Sequence, residues 1–254
     1  MKKLFEPLNP RILEPFVRRW PTRRVNHLLM EIYRRLYEAF GPQHWWPGET
    51  SFEMMVGAIL TQNTSWRNVE KAIRNLKERG ALTCHGIHQL RKSELAVLIR
   101  PSGYFRIKAE RLKEFVDFLI LNYEGDLERM RSQPLEGLRE KLLSVRGIGP
   151  ETADSILLYG LKKPIFVVDA YTRRVLVRHR VMPEKASYGE VQRFFLDPLP
   201  ADEKLFNEYH ALIVRLGKTV CSKTPKCDIC PIKGIEHRAW NKEHRAKKKK
   251  LSVK

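Results

Sequence analysis

The sequence has 254 residues, of which 43% are hydrophobic, and this composition excludes a disordered or fibrous chain. It contains 48 Lys and Arg residues against 29 Asp and Glu residues, and the net charge of +19 favours a polyanionic partner, either nucleic acid or an anionic membrane surface. No apolar run approaches the roughly 18 residues that span a membrane, and the N-terminus lacks the apolar segment of a signal peptide. We therefore expect a soluble, intracellular protein.

The spacing of apolar residues predicts a mainly α-helical chain of about ten helices. Glycine and proline turns separate these helices, and the only strand-like run, residues 165–168, is too short to seed a sheet. The basic tail, residues 238–254, has a composition typical of disorder. Helical spacing is clearest in Leu28, Leu29, Ile32, Leu36 and Phe40, and in Phe206, Tyr209, Leu212 and Leu216.

Residues 54–64, MMVGAILTQNT, predict an apolar helix that ends in a polar turn containing Gln62 and Asn63. Tryptophans flank this helix, with Trp45 and Trp46 before it and Trp66 after it. Two explanations fit the tryptophans, since such residues either pack in a core or face a ligand. Gln62 and Asn63 likewise either cap the helix end or approach a ligand.

The segment LLSVRGIGPETADSILLYG, residues 142–160, predicts two helices joined by a tight turn. The glycines at 147 and 149 allow positive φ, Ile148 can anchor the turn by pointing inward, and Pro150 suits the first position of the second helix. Such a hairpin points backbone N–H groups outward, which suits a phosphate without reading any base. The alternative is an ordinary helical corner in which the glycines only make the turn.

Residues 164–174, PIFVVDAYTRR, follow this hairpin. Residues 165–168 form an apolar run that we expect to be buried, and Asp169 follows it directly. Another helix is predicted to begin at Ala170. By itself an aspartate in this position is either an N-cap or a functional carboxylate, and one residue can be both.

Together, the hairpin, the string G-I-G-P-x-T-A and the V-D pair resemble the signature of the helix-hairpin-helix (HhH-GPD) DNA glycosylase superfamily, which includes endonuclease III. The resemblance implies an all-α, two-lobed fold with DNA in the cleft between the lobes. Residues 43–165 would form a six-helix domain containing the hairpin, and residues 1–42 plus 166–220 the second lobe. It also implies a monomer that acts on double-stranded DNA with a base lesion, in the cytoplasm and associated with the nucleoid.

The resemblance also assigns roles to single residues. Asp169 is then the essential carboxylate, which stabilises positive charge on the sugar as the glycosidic bond breaks or activates the nucleophile. The DNA backbone would be held by Gly147, Ile148, Gly149 and Thr152. The polar pair Gln62 and Asn63 would approach the gap that an extruded base leaves in the duplex.

Two further strings are similar to the 3-methyladenine glycosylase branch of this superfamily. They are W-W-P followed by F-E-x-x-V-G-A-I-L-T-Q-N-T-x-W, and R-P-S-G-Y-F-R-x-K-A-x-R-L at residues 100–112. This similarity implies that the aromatic side chains of Trp46 and Trp66 hold a base that has left the stack, and the adjacent Trp45 is a further candidate for this pocket. An alkylated purine is cationic, so indole faces would attract it.

Glu151 occupies the position at which lyase members of the superfamily carry a Schiff-base lysine. A carboxylate cannot form an imine, and the resemblance therefore implies a monofunctional glycosylase that uses water. An acidic residue in a first helical turn is also favoured by the helix dipole alone. Two alternatives stay open: a bifunctional glycosylase and abasic-site lyase whose amine comes from Lys162 or Lys163, and a non-catalytic, structure-specific DNA-binding protein.

Cys221, Cys227 and Cys230 crowd together in the loop 221–237, which favours metal binding over a disulfide in an intracellular protein. The iron-sulfur loop of the superfamily has four cysteines, whereas this loop is one residue short in its first gap and has Glu236 and His237 where the fourth cysteine belongs. Three outcomes stay open: a 4Fe-4S cluster, a zinc ion with His237 as fourth ligand, or a loop without metal.

Overall fold

The computed structural model describes residues 22–45 and 48–235, and within these ranges all regular secondary structure is helical. This confirms the predicted all-α class for the described residues. None of the helices in these ranges is long and apolar enough to cross a membrane. Trp46, His237 and the tail predicted to be disordered, residues 238–254, lie outside the described residues, as does the N-terminal segment 1–21.

Short 3₁₀ turns occur at Arg100–Ser102 and Cys227–Ile229, and a π-helical turn occurs at Ile156–Gly160. The α-helices in the described ranges are α1 (Thr22–Phe40), α2 (Ser51–Leu60), α3 (Trp66–Glu78), α4 (Cys84–Gln89), α5 (Lys92–Leu98), α6 (Phe105–Tyr123), α7 (Leu127–Arg131), α8 (Leu135–Ser144), α9 (Pro150–Ser155), α10 (Ala170–Arg178), α11 (Tyr188–Leu196) and α12 (Glu203–Thr219).

The chain divides into two compact units. The hairpin unit contains residues 42–169 and 201–211, and so includes α2 to α9 and the first part of α12. The loop unit contains, among the described residues, 22–41, 170–200 and 212–235. The lobe boundaries expected from the sequence stay a prediction.

In the hairpin unit, α2 lies against the π-helical turn that follows α9. The helices approach closely at Gly160, where an added Cβ would lie 2.7 Å from Cγ of Met55. Further along the chain, the buried run 165–168 is anchored by Phe166, whose ring meets those of Phe206 and Tyr209 edge to face at 5.8 and 5.9 Å. This packing brings the start of α12 beside the run that ends at Asp169.

In the loop unit, α10 lies close to α12. An added Cβ at Gly217 would lie 2.5 Å from a ring carbon of Tyr171, so the close approach of the two helices requires glycine there. The Arg174 guanidinium lies 5.0 Å from the centre of the same ring and donates to the carbonyl of Gly217 at 2.7 Å. On α1, Asn26 donates to the carbonyl of Pro198 at 2.7 Å, which fastens α1 to the end of α11.

Candidate functional site

The turn between α8 and α9 has the features that the sequence predicts, with one difference. Gly147 has φ of +88°, a conformation that L side chains rarely adopt, and Ile148 is only 5% exposed, as an anchoring residue would be. Pro150 is the first residue of α9. The sequence allows positive φ at both glycines, but Gly149 has φ of −93°. No heavy atom lies within 4 Å of the position that a Cβ of Gly149 would take. Gly149 therefore contributes open space beside the backbone and no unusual conformation.

Gln62 fastens this turn from the end of α2. Its side-chain amide donates to the carbonyl of Gly147 at 3.2 Å and to the hydroxyl of Thr152 at 2.8 Å, while its oxygen accepts from Arg111. Thr152 is 7% exposed, so its hydroxyl serves this internal contact. Asn63 is exposed and has φ of +54°. The structure therefore brings Gln62 and Thr152 together at the hairpin, and Asn63 lies beside them on the surface.

A buried ion pair holds the two helices of the hairpin together. Arg139 on α8 donates to both carboxylate oxygens of Asp154, which is fully buried, at 2.7 and 3.1 Å. The bidentate geometry satisfies a carboxylate that burial would otherwise destabilise. This pair is not among the residues predicted from the sequence, although an aspartate within the apolar string TADSILL is a signal for it.

Asp169 stands at the end of the buried run, immediately before α10, and its side chain is 13% exposed. Its Oδ2 atom lies 3.6 Å from Nε2 of His210, which is on α12 and buried. The other ring nitrogen, Nδ1, hydrogen-bonds with the hydroxyl of Tyr159 at 2.5 Å. Neither His210 nor Tyr159 is among the site residues predicted from the sequence.

Tyr159 also lies near one of the predicted base-pocket tryptophans, Trp45. Burial raises the pKa of the Tyr159 hydroxyl well above its usual value, and the charge of Asp169 raises it further. The indole of Trp45 acts in the opposite direction, and Glu151 again raises the pKa. Tyr159 is thus a neighbour of both Trp45 and His210. Of the other predicted pocket residues, Trp66 is half-buried at the start of α3.

Glu151 is exposed in the first turn of α9, where the sequence placed it. The two lysines that the sequence offers in place of the lyase lysine both have partners. Lys162 lies 3.5 Å from Glu203, and Lys163 donates to the carbonyl of Gln133 at 2.9 Å. Lys108 is 1% exposed and donates to two backbone carbonyls, those of Leu60 at 2.8 Å and Ser102 at 2.6 Å. Burial, and secondarily Arg111, lowers the pKa of Lys108 to about 8.

The three cysteines of the loop unit line one pocket together with His179. Cys221 is buried, Cys230 is half-buried and Cys227 is exposed, and the sulfur of Cys230 lies 3.7 Å from Nε2 of His179. Burial raises the pKa of the Cys230 thiol, a hydrogen bond from the backbone of Ile232 lowers it, and the other two cysteines raise it again. The three cysteines therefore lie around one pocket, and their side chains differ in exposure.

Arginines fasten this loop through its backbone. Arg178 donates to the carbonyls of Ser222 at 2.6 Å and Lys223 at 3.2 Å, and Arg174 donates to that of Cys221 at 2.9 Å. In the described part of the chain, no three His, Cys, Asp or Glu side chains are gathered closely enough to bind a metal ion. The donor set does not fit a 4Fe-4S cluster, which takes four thiolates. The zinc alternative depends on His237, outside the described residues.

Comparison with known proteins places these features in a family. The sequence profile described as "HhH-GPD superfamily base excision DNA repair protein" matches residues 56–201. A Methanocaldococcus jannaschii protein, provisionally named DNA repair glycosylase MJ1434, is 49% identical over 208 residues, which are 81% of this chain and 94% of that protein.

Two solved structures are similar in fold. The H. pylori 3-methyladenine DNA glycosylase MagIII, bound to 1,N6-ethenoadenine, has a TM-score of 0.64 and 28% identity and covers 78% of this chain and 98% of its own. A trapped endonuclease III–DNA covalent intermediate has a TM-score of 0.71 and 22% identity, covering 89% of this chain and 99% of that one, and shows the fold alone. Both agree with the fold that the sequence predicts.

Proposed function

The chain belongs to the HhH-GPD superfamily of base excision DNA repair proteins, and on this premise we propose that it is a monofunctional DNA glycosylase that releases alkylated purines. The observation that carries this proposal is the position of Asp169. The carboxylate follows the hairpin along the chain, at the end of a buried run that fixes its backbone, and it remains 13% exposed. A carboxylate that is both held and accessible suits the stabilisation of an oxocarbenium-like sugar.

In the proposed reaction, the backbone around Gly147 and Gly149 holds a phosphate of the DNA, and Gln62 keeps that turn in place through Gly147 and Thr152. The damaged nucleotide leaves the stack, which gives Asp169 access to its sugar. As the bond to the base breaks, the carboxylate stabilises the positive charge on the sugar, and water completes the hydrolysis.

The proposed substrate class rests on the tryptophans. Trp45 and Trp66 are half-buried, which leaves part of each indole available to a ligand, and Trp46 is proposed as the third aromatic residue on the sequence resemblance alone. A cationic purine is attracted to indole faces by cation–π interaction. The similarity to a 3-methyladenine glycosylase whose structure holds 1,N6-ethenoadenine supports a modified purine.

The proposal that the protein lacks lyase activity is based on the lysine side chains of the hairpin unit and on Glu151. Glu151 stands where lyase members carry lysine, and a carboxylate cannot form a Schiff base. Lys162 and Lys163 are each engaged with another group, and Lys108 is buried beneath two carbonyls. No step of the proposed reaction uses a metal or a cluster.

The test is a set of duplexes that each contain one lesion: 3-methyladenine, 1,N6-ethenoadenine, uracil or an oxidised pyrimidine. We expect the alkylated purines to be released fastest, the Asp169→Asn variant to lose at least about a thousandfold in single-turnover rate, and borohydride to trap no covalent adduct. A borohydride adduct would establish a lyase instead. Tight binding to abasic DNA with no base released from any duplex would establish a non-catalytic binding protein.

A further inference from the structure

His210 is a buried histidine that the reaction proposed above does not use. It is 4% exposed, and its Nε2 atom has no hydrogen-bond partner in the described part of the chain. That atom lies 3.6 Å from Oδ2 of Asp169, which is slightly longer than a hydrogen bond. Catalytic hydrogen bonds are often long before substrate binds and shorten in the complex.

The groups around His210 favour one of its two neutral tautomers. Nε2 faces Asp169, and a carboxylate only accepts, so the tautomer with its proton on Nε2 is the one that can donate to Asp169. Nδ1 is then an acceptor, and the buried Tyr159, whose raised pKa keeps its hydroxyl protonated, can donate to it. In this tautomer the donors run from Tyr159 through His210 to the carboxylate.

Packing holds the ring in this orientation. Phe166 meets the His210 imidazole nearly edge to face at 6.5 Å, and the same phenylalanine contacts Tyr209, the preceding residue on α12. Within the described residues, ionisable groups that approach the imidazole include Tyr159 from the π-helical turn and Asp169 from the segment before α10, and Glu151 on α9 acts on Tyr159. On α12 itself, the nearby Glu208 accepts from the backbone N–H of Gln43 at 2.7 Å.

We propose that His210 is a positioning residue for Asp169, to which it donates from Nε2 so that the carboxylate stays ionised and correctly oriented beside the sugar. This inference rests on the proposed role of Asp169. In hydrolase triads a buried carboxylate orients a histidine that acts on the substrate. In the proposed arrangement the roles are exchanged, because the histidine orients the carboxylate and the carboxylate faces the substrate.

The first experiment compares single-turnover base release across pH for four proteins: wild type, His210→Phe, His210→Gln and Asp169→Asn. A hydrogen bond to a carboxylate favours its ionised form, so loss of the donor raises the carboxylate pKa. We expect His210→Phe to slow release by about tenfold to a hundredfold and to move the acid limb upward by about one pH unit, while binding to abasic DNA is unchanged. The His210→Gln variant retains an amide donor and should recover most of both effects.

The chain offers a matched control in His88, whose Nδ1 atom lies 2.9 Å from Asp117 on the surface of the same unit. The His88→Phe variant removes a histidine–aspartate pair of the same chemistry and should behave as wild type. If Asp169→Asn is inactive while His210→Phe keeps the wild-type rate and acid limb, the role of His210 is refuted and the proposed function stands. If Asp169→Asn is fully active, both are refuted.

A second measurement does not depend on activity. In protein labelled with ¹⁵N-histidine, NMR distinguishes the two neutral tautomers of an imidazole, and we expect His210 to carry its proton on Nε2. The Tyr159→Phe variant should mix the tautomers, and Asp169→Asn should shift the Nε2–H resonance. A proton on Nδ1 in the wild type, or a resonance that ignores Asp169→Asn, would refute the inference whether or not a substrate has been found.

Discussion

The side-chain amide of Gln62 donates to the hydroxyl of Thr152 at 2.8 Å, and this contact joins the end of α2 to the second helix of the hairpin. The same amide also donates to the carbonyl of Gly147. We expect Gln62→Ala to lower the free energy of unfolding by about 1–2 kcal/mol, because it removes these bonds and leaves a buried hydroxyl without its donor. Urea unfolding followed by circular dichroism measures this, and binding to abasic DNA should weaken in parallel.

The control for this prediction is Asn122→Ala, which removes a side-chain donor to the carbonyl of Phe118 on an exposed helix face. Its unfolding free energy should stay within about 0.5 kcal/mol of wild type. Thr152→Val, which removes only the acceptor, should couple with Gln62→Ala in a double-mutant cycle. Additive effects of the two substitutions would mean that the contact contributes nothing to stability.

The proposed base pocket leads to a different prediction. A residue that stacks on the damaged base affects the release of that base and should not affect binding to the DNA backbone. Base–aromatic stacking contributes about 1–3 kcal/mol per base, so Trp66→Ala should slow release of an alkylated purine by about tenfold to a hundredfold. Affinity for a duplex with an abasic site should be unchanged. The exposed aromatic residue Tyr37 provides the control, since Tyr37→Ala should alter neither quantity. An unaltered release rate in Trp66→Ala would place this indole in the core.

The parts of the site that follow one another along the chain could be predicted from the sequence. The glycine turn, Pro150 and Asp169 all lie within one continuous stretch, where local backbone preference and spacing are informative. His210 could not be found in this way, because its position beside Asp169 depends on Phe166 packing against Phe206 and Tyr209 on a distant helix. Helical periodicity marks Tyr209 and its neighbours as buried but does not show which carboxylate a histidine beside them will meet.

Gln62 shows a second limit of the sequence. Its position at the end of α2 was predicted, but its partners Gly147 and Thr152 are set by how α2 packs against the hairpin. A polar side chain at a helix end has the same sequence pattern whether it binds a neighbouring turn or a ligand. Only the hydrogen bonds in the folded unit distinguish the two.

The cysteine loop should keep its fold without a metal, because arginine side chains hold its backbone. We expect Arg178→Ala to lower the free energy of unfolding by about 1–3 kcal/mol, since it leaves the carbonyls of Ser222 and Lys223 without a charged donor. Cys227 is exposed, so Cys227→Ser should change stability by less than about 0.5 kcal/mol. Thermal unfolding of purified protein, with and without a strong chelator, measures both effects.

The opposite pattern would show that a metal holds the loop. A protein purified without oxygen, carrying one iron-sulfur cluster or one zinc ion per chain, would then melt at a lower temperature after chelation. Cys227→Ser would be as destabilising as Arg178→Ala. Elemental analysis of the same sample identifies the metal and separates the iron and zinc alternatives.

Lys108 makes stability depend on pH in the alkaline range. Its pKa is lowered to about 8 in the folded protein, from an ordinary value of 10.5, chiefly by burial and secondarily by Arg111. Below about pH 8 Lys108 is protonated in both the folded and the unfolded protein. The folded protein then bears the whole free-energy cost of burying the charge. Between about pH 8 and 10.5 the unfolded chain holds more protons than the folded one, so stability rises with pH in this window. The rise from this residue is at most roughly 3 kcal/mol.

Comparison with Lys108→Met isolates this contribution, because every other titrating group is common to the two proteins. The substitution leaves the carbonyls of Leu60 and Ser102 without their donor, which should cost about 2–3 kcal/mol near pH 10 and less near neutral pH, where the wild type also bears the cost of the buried charge. The difference in unfolding free energy should then widen as the pH is raised from about 8 to 10, since only the wild type gains from losing the buried charge. Lys185→Met, at an exposed position, should give a constant difference from wild type. A constant difference for Lys108→Met as well would show that the two carbonyls hold the amine protonated throughout, and that burial does not lower its pKa into this range.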